Sequence, residues 1–186
     1  MTPEQITTLR AAIAADANLV ALRAAKDTQG ICDYLNGPTA GFVLWQTAVP
    51  IQTVYDSITW ANLTPADAPD GTATWTNRAL CCQGKQFNIQ TMLQGRDSIN
   101  ATKANVRAGL QDGLTQIPSG VSGANRSAGW TTLQTAMQRL ATVAEKVFAT
   151  GTGTTGSPAI PSFEGLVQVG EVNAACFSDS GVWRVG

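Results

Sequence analysis

The side chains best suited to chemistry in this chain are few. There are cysteines at Cys32, Cys81, Cys82 and Cys176, glutamates at Glu4, Glu145, Glu164 and Glu171, and no histidine at all. Without histidine, the Ser-His-Asp and Cys-His nucleophilic sets cannot form, and the commonest metal ligand is missing. Cys81 and Cys82 are adjacent, whereas a tetrahedral zinc site usually takes a C-x-x-C pair. The cysteines therefore read as small buried hydrophobes on helices. Glu4 suits the positive end of a helix dipole. Glu145 precedes Lys146 and is expected on the surface of a long helix, while Glu164 and Glu171 flank a short strand. No two acids share a recognisable catalytic setting. Residues 151–156 match G-x-G-x-x-G, but that fingerprint needs a strand before it and a helix after it. Here a helix precedes and Ser157-Pro158 follows. No catalytic, cofactor-binding or metal-binding residue is expected, and the chain does not read as an enzyme.

The elements that would position these groups are mostly helices. Thr2 caps a helix with Pro3 at its first position and Gln5 completing a capping box. Asp16 offers a second cap, and a third helix is expected over 28–35, stopped by Asn36-Gly37-Pro38. Residues 42–45 are apolar in a row, fitting either a buried extended segment or a tight apolar turn. Ile51, Val54, Tyr55 and Ile58 mark one helix face. A loop with two prolines covers 63–71. A long helix follows over 73–93, with Trp75, Leu80, Phe87 and Met92 as its bulk. Asn100 caps a helix whose stripe is Val106, Leu110, Leu114 and Ile117.

The spacing of Trp130, Leu133, Met137, Leu140, Ala144 and Val147 predicts one helix over 127–150 with a heptad-like seam. Beyond it the chain turns rich in Gly, Thr, Ser and Pro. Alternation over 163–169 predicts a short strand, and 171–176 one or two helical turns. The expected class is mainly α: a helical bundle over 1–150, then a loop, a short strand and an extended C-terminal arm over 151–186, either within the same domain or as an appendage.

Composition bears on partners. Only 13% of residues are charged, about half of the ~25% of an ordinary soluble domain. The net charge of −1 argues against a dedicated nucleic-acid binder, and no apolar run approaches the ~20 residues that span a bilayer. The opening residues carry no basic and apolar leader, so synthesis in a cytoplasm is expected. So few charges suit a subunit whose faces meet other subunits. A tail bearing Val182, Trp183, Arg184 and Val185 either folds back or inserts into a partner, tryptophan being a frequent interface anchor. Lys103 and Arg107, four apart on a helix, and Phe163 complete the candidate interface residues.

Residues 141–154, reading ATVAEKVFATGTGT, followed by Ser157-Pro158-Ala159 and Phe163-Glu164-Gly165, resemble small structural proteins of tailed bacteriophages. Trp60-Ala61-Asn62-Leu63-Thr64 and Gln83-Gly84-Lys85-Gln86-Phe87 share that style. Within such virions the layout is similar to head–tail connector (adaptor) proteins. That resemblance implies a twelve-subunit homo-oligomeric ring beneath the portal, a downstream tail or neck protein as second partner, and DNA passing through the channel without sequence-specific binding. It implies a place at the virion neck after synthesis in the bacterial host cytoplasm, with no membrane and no cofactor. Other virion parts (tail-completion or capsid-associated proteins), a transient assembly chaperone and a small carboxylate or thiol enzyme are the alternatives.

Overall fold

The computed structural model describes residues 1–65, 67–119 and 125–185. In chain order the elements are α1 (Pro3–Ala15), α2 (Val20–Ala25), α3 (Thr28–Asn36), β1 (Pro38–Trp45), β2 (Val49–Pro50), α4 (Ile51–Ser57), α5 (Ala73–Leu93) and β3 (Ser98–Ile99). Then come α6 (Ala104–Leu114), β4 (Ile117–Pro118), β5 (Asn125–Arg126), α7 (Trp130–Ala136), β6 (Gln138–Thr142), α8 (Val143–Phe148) and α9 (Val169–Cys176). Helix dominates at about 53%. Among the described residues the named strands pair in twos: β1 with β6, β2 with β3, and β4 with β5. The architecture mixes helices with small antiparallel strand pairs and is broadly compatible with the expected mainly α class.

The helices are shared between two compact units, Met1–Leu44 with Leu140–Gly186, and Trp45–Arg139. From sequence, residues 151–186 are open to either a place in the same domain as the helical body or an appendage to it. Val167, Val172 and Val185 share a core with Leu9, Ile13, Ile31 and Leu35, so the segment past 150 belongs to the same body as the first helices.

In the first unit, Thr2 and Gln5 form the capping box that starts α1, and Asp16 accepts from the Asn18 N–H to open the next turn. α9 packs against α1 and α3, and α8 against the same two helices. Arginines finish the helix ends. Arg10 Nε donates to the Ala175 carbonyl at 2.7 Å, and Arg23 Nη1 donates to the carbonyls of Ile13 and Asp16, both at 2.7 Å. These are carbonyls that a helix C-terminus leaves without internal partners.

In the second unit, α5 packs on α6, and α4 and α6 each meet α7. Val54, Cys82, Ile89, Leu110, Leu114, Leu133 and Met137 form its core. Each fully buried Leu or Ile contributes about 1.5–3 kcal/mol. The ends of this unit are joined. The Gln46 N–H donates to the Met137 carbonyl at 2.9 Å, and its side-chain amide donates to Ala136 and Gln138 at 2.9 and 3.1 Å.

Four expectations are corrected. The single helix over 127–150 is three elements, α7, β6 and α8. Strand pairing with β1 takes residues 138–142 out of helical register, and the Thr142–Glu145 capping box restarts the helix. The seam is divided accordingly: Leu133 and Met137 serve one core, Ala144 the other, and Leu140 is left 57% exposed. Residues 163–168 are not a strand. Val167 instead finds both main-chain partners on one side chain, Asn36, which donates to its carbonyl at 2.9 Å and accepts from its N–H at 2.8 Å. Glu145 is buried at 3% exposure rather than on the surface. One oxygen caps Thr142 N–H at 2.9 Å and the other faces Gly165 N–H at 3.4 Å.

The expected extended C-terminal arm is folded back. The Trp183 ring meets Phe177 edge-on at 4.9 Å, the Arg184 N–H donates to the Cys176 carbonyl at 2.7 Å, and Val185 is fully buried.

Gly129 caps α7 with φ of 94°, and a Cβ there would lie 2.1 Å from the Ser57 carbonyl oxygen. The left-handed backbone and the overlap act together. Gly129→Ala is expected to lower stability by about 3 kcal/mol in urea unfolding; a loss under about 1 kcal/mol would mean that the contact gives way freely.

Candidate interaction surface

α5 presents two large apolar side chains, Leu80 and Phe87, to solvent. The 21-residue helix buries Ala79, Cys82, Ile89 and Leu93 on one side. Its cations are both committed: Arg78 pairs with Asp67, and Lys85 Nζ donates to the Asp112 carbonyl at 2.5 Å with the carboxylate 3.8 Å away. Every exposed position of the helix is therefore uncharged, including Thr76, Leu80, Gly84, Phe87 and Thr91. Leu80 is 60% exposed and Phe87 67%. They stand one heptad apart and so on one face.

Beside this helix, within the same unit, lies a cavity of about 470 Å³ lined by Tyr55, Trp60, Thr64, Gln86, Ile89 and Gln90. The Tyr55 and Trp60 rings are tilted at 36° with centroids 6.0 Å apart. Trp60 is 49% exposed. Gln86 is fixed by donating to the Leu63 carbonyl at 2.8 Å. The lining carries no carboxylate, ammonium or guanidinium. A wall of aromatic faces and neutral amides suits an apolar or neutral occupant. An ion entering it would lose water and meet no opposite charge.

The residues singled out from sequence fare differently. Arg107 is turned inward: its Cζ lies 4.6 Å over the Trp45 ring, its Nη1 donates to the Ala101 carbonyl at 2.6 Å, and burial draws its guanidinium below the ordinary value. Lys103 stands exposed at the N-cap of α6, so the two cations do not form one free face. Phe163 packs on Phe148 with centroids 5.5 Å apart. Val185 is core and Trp183 half-buried, next to Val20, Arg23, Ala24 and Lys26 around a cavity of about 320 Å³. Val182, at 62% exposed, and Arg184 remain outward. The sequence reading assigned Leu80 and Phe87 to bulk and missed them as surface. The legible signal was a second stripe: Ala79, Cys82, Ile89 and Leu93 already supply an inward face.

No protein-family model matches the chain, and neither a curated protein nor a solved structure matches it. Among the described residues no group of three or more His, Cys, Asp or Glu is placed to hold a metal ion, and no helix is long and apolar enough to cross a membrane.

The thiols divide by burial. Cys32, Cys82 and Cys176 are buried and Cys81 half-buried, all reduced. Burial raises the Cys32 and Cys82 thiols and pushes Cys176 up to about 11, with Arg10 opposing weakly. Raised thiols hold less thiolate, the reactive form. Iodoacetamide at mildly alkaline pH is expected to modify Cys81 alone in the folded protein and all the cysteines after denaturation, as read by peptide mass spectrometry. Rapid native labelling of Cys176 would contradict its packing.

Proposed function

We propose that this chain is a structural subunit that acts by assembling with neighbours, and that its place is the head–tail junction of a tailed bacteriophage, where connector proteins join portal to tail around the DNA channel. The observation that carries the assembly role is the outward face of α5: a helix of 21 residues with large apolar side chains exposed and no exposed charge. Apolar residues scattered singly on a surface need no explanation, but a neutral helix face beside an aromatic-walled cavity is the composition of an interface centre. The low charge content of the chain, 13%, fits the same role, since obligate interfaces are more apolar than free surface. The proposed location rests on the resemblance of residues 141–165 to small phage structural proteins. The connector's ring and its portal and tail partners follow from that resemblance.

A subunit of this kind contributes geometry rather than turnover. Its two units offer separate surfaces to different neighbours, and the inward-turned arginines leave few charges to desolvate when those surfaces close. Mass spectrometry of purified particles tests the reading. The chain is expected in the mature virion at the copy number of a single ring rather than that of a shell. Its presence in lysate but absence from particles would favour a transient assembly chaperone, and a measurable turnover on any substrate would overturn the structural role.

A further inference from the structure

The Asn36-Gly37-Pro38 stop at the end of α3 carries chemistry of its own. We infer that Asn36 is a site of spontaneous deamidation that the fold holds shut, and that its conversion to aspartate releases the segment that Asn36 clamps. Of all the asparagines, Asn36 alone precedes a glycine. Asparagine loses its amide when the main-chain nitrogen of the next residue attacks the side-chain carbonyl carbon, and a side chain on that next residue obstructs the approach. The other asparagines are followed by Leu, Arg, Ile, Ala or Val, whereas glycine has no Cβ and turns freely. Water completes the reaction. The Gly37 nitrogen bonds to Asn36 Cγ, the Cγ–Nδ2 bond breaks and ammonia leaves, and water then opens the cyclic imide to aspartate or isoaspartate. No partner enters this step, so it stands apart from the assembly role.

The fold restrains both reacting groups. The Gly37 N–H donates to the Tyr34 carbonyl at 3.0 Å, which engages the attacking nitrogen. The Asn36 amide is pinned elsewhere: Nδ2 donates to the Val167 carbonyl at 2.9 Å, and Oδ1 accepts from the Val167 N–H at 2.8 Å. Nδ2 also lies 3.5 Å from Cys32 Sγ. Asn36 Cγ is therefore held from Gly37 until the Val167 clamp opens. The dependence also runs the other way. Val167 is 1% exposed, and a buried carbonyl is normally paired with a donor. An aspartate at position 36 has no N–H to give, so two oxygens would face each other where Nδ2 now donates. Burial, Asp33 and Glu171 already raise the Cys32 thiol, and the new carboxylate adds a further negative charge beside it. Isoaspartate would also lengthen the main chain between α3 and β1. Deamidation is thus a one-way step: opening permits it, and its product opposes reclosure.

The test incubates the full chain at mildly alkaline pH, folded and in guanidinium chloride, and follows Asn36 by peptide mass spectrometry over time. In denaturant, Asn36 is expected to deamidate ahead of every other asparagine. In the folded chain its rate is expected to fall at least ~10-fold, because only the locally opened fraction reacts. Gly37→Ala is expected to slow the reaction in denaturant, where the fold plays no part. Asn36→Asp reproduces the product, and circular dichroism checks that it folds. Hydrogen exchange at its Val167 amide is expected to be at least ~10-fold faster than in the wild type, the effect of losing a buried hydrogen bond, with the Leu110 amide in the second unit unchanged. The same acceleration is expected in the deamidated fraction of aged wild-type protein, separated by ion exchange, which keeps the test open should the variant not fold. The inference is overturned if Asn36 reacts equally fast folded and denatured, if another asparagine leads in denaturant, or if the Val167 amide keeps its wild-type exchange rate after the amide at position 36 is lost.

Discussion

The guanidinium groups of Arg10, Arg23 and Arg107 end on main-chain carbonyls rather than on carboxylates. Much of the fold depends on that choice. The short helices of the first unit leave unpaired carbonyls close to its core, and such groups cost about 1–3 kcal/mol each when left without partners. One fork from Arg10 closes the end of α9 from α1, and one from Arg23 closes the end of α1 from α2. These bonds tie α1, α2 and α9 together beside the apolar contacts of the core. Removing either guanidinium exposes the carbonyls it covers as well as losing its own contact, so its effect would reach beyond a single hydrogen bond.

Turning cations inward has a surface counterpart. In the second unit Arg78 and Lys85 are held by acids and by a carbonyl beside α5, and Arg107 lies over Trp45. The outer side of α5 is left with hydroxyls, amides, a glycine and two large apolar groups. Burying such a face removes few solvated ions from water, so the desolvation that opposes association is small. The same property makes specificity depend on shape, because no charge pattern is present to reject a wrong partner.

What the residues revealed in advance was local. The Thr2–Gln5 box, the Asp16 cap and the bounds of α5 follow from neighbouring side chains, and all appear as read. The failures were non-local. Residues 138–142 carry a helical stripe, yet β1, about a hundred residues earlier in sequence, recruits them into a strand pair. The Thr142–Glu145 box was there to be read as a fresh helix start, and the continuous stripe masked it. The alternation over 163–169 looked like a strand because it carries Phe163, Val167 and Val169, while its one deeply buried main-chain segment is satisfied by Asn36. Leu80 and Phe87 were hidden by symmetry of another kind: α5 has two apolar stripes, and periodicity alone does not say which faces in.

The chain leaves the first unit after Leu44 and returns at Leu140, and Gln46 clamps the start of the intervening unit to its finish at Met137. The inner unit is thus a closed loop of sequence with all its core residues contiguous. The outer unit needs α1 and α3 from one end and α8 and α9 from the other. During translation the inner unit emerges complete while the outer still lacks its second half, and domains fold as units as they emerge. The early helices have no complete core until α8 and α9 emerge, so the outer unit is the last to consolidate.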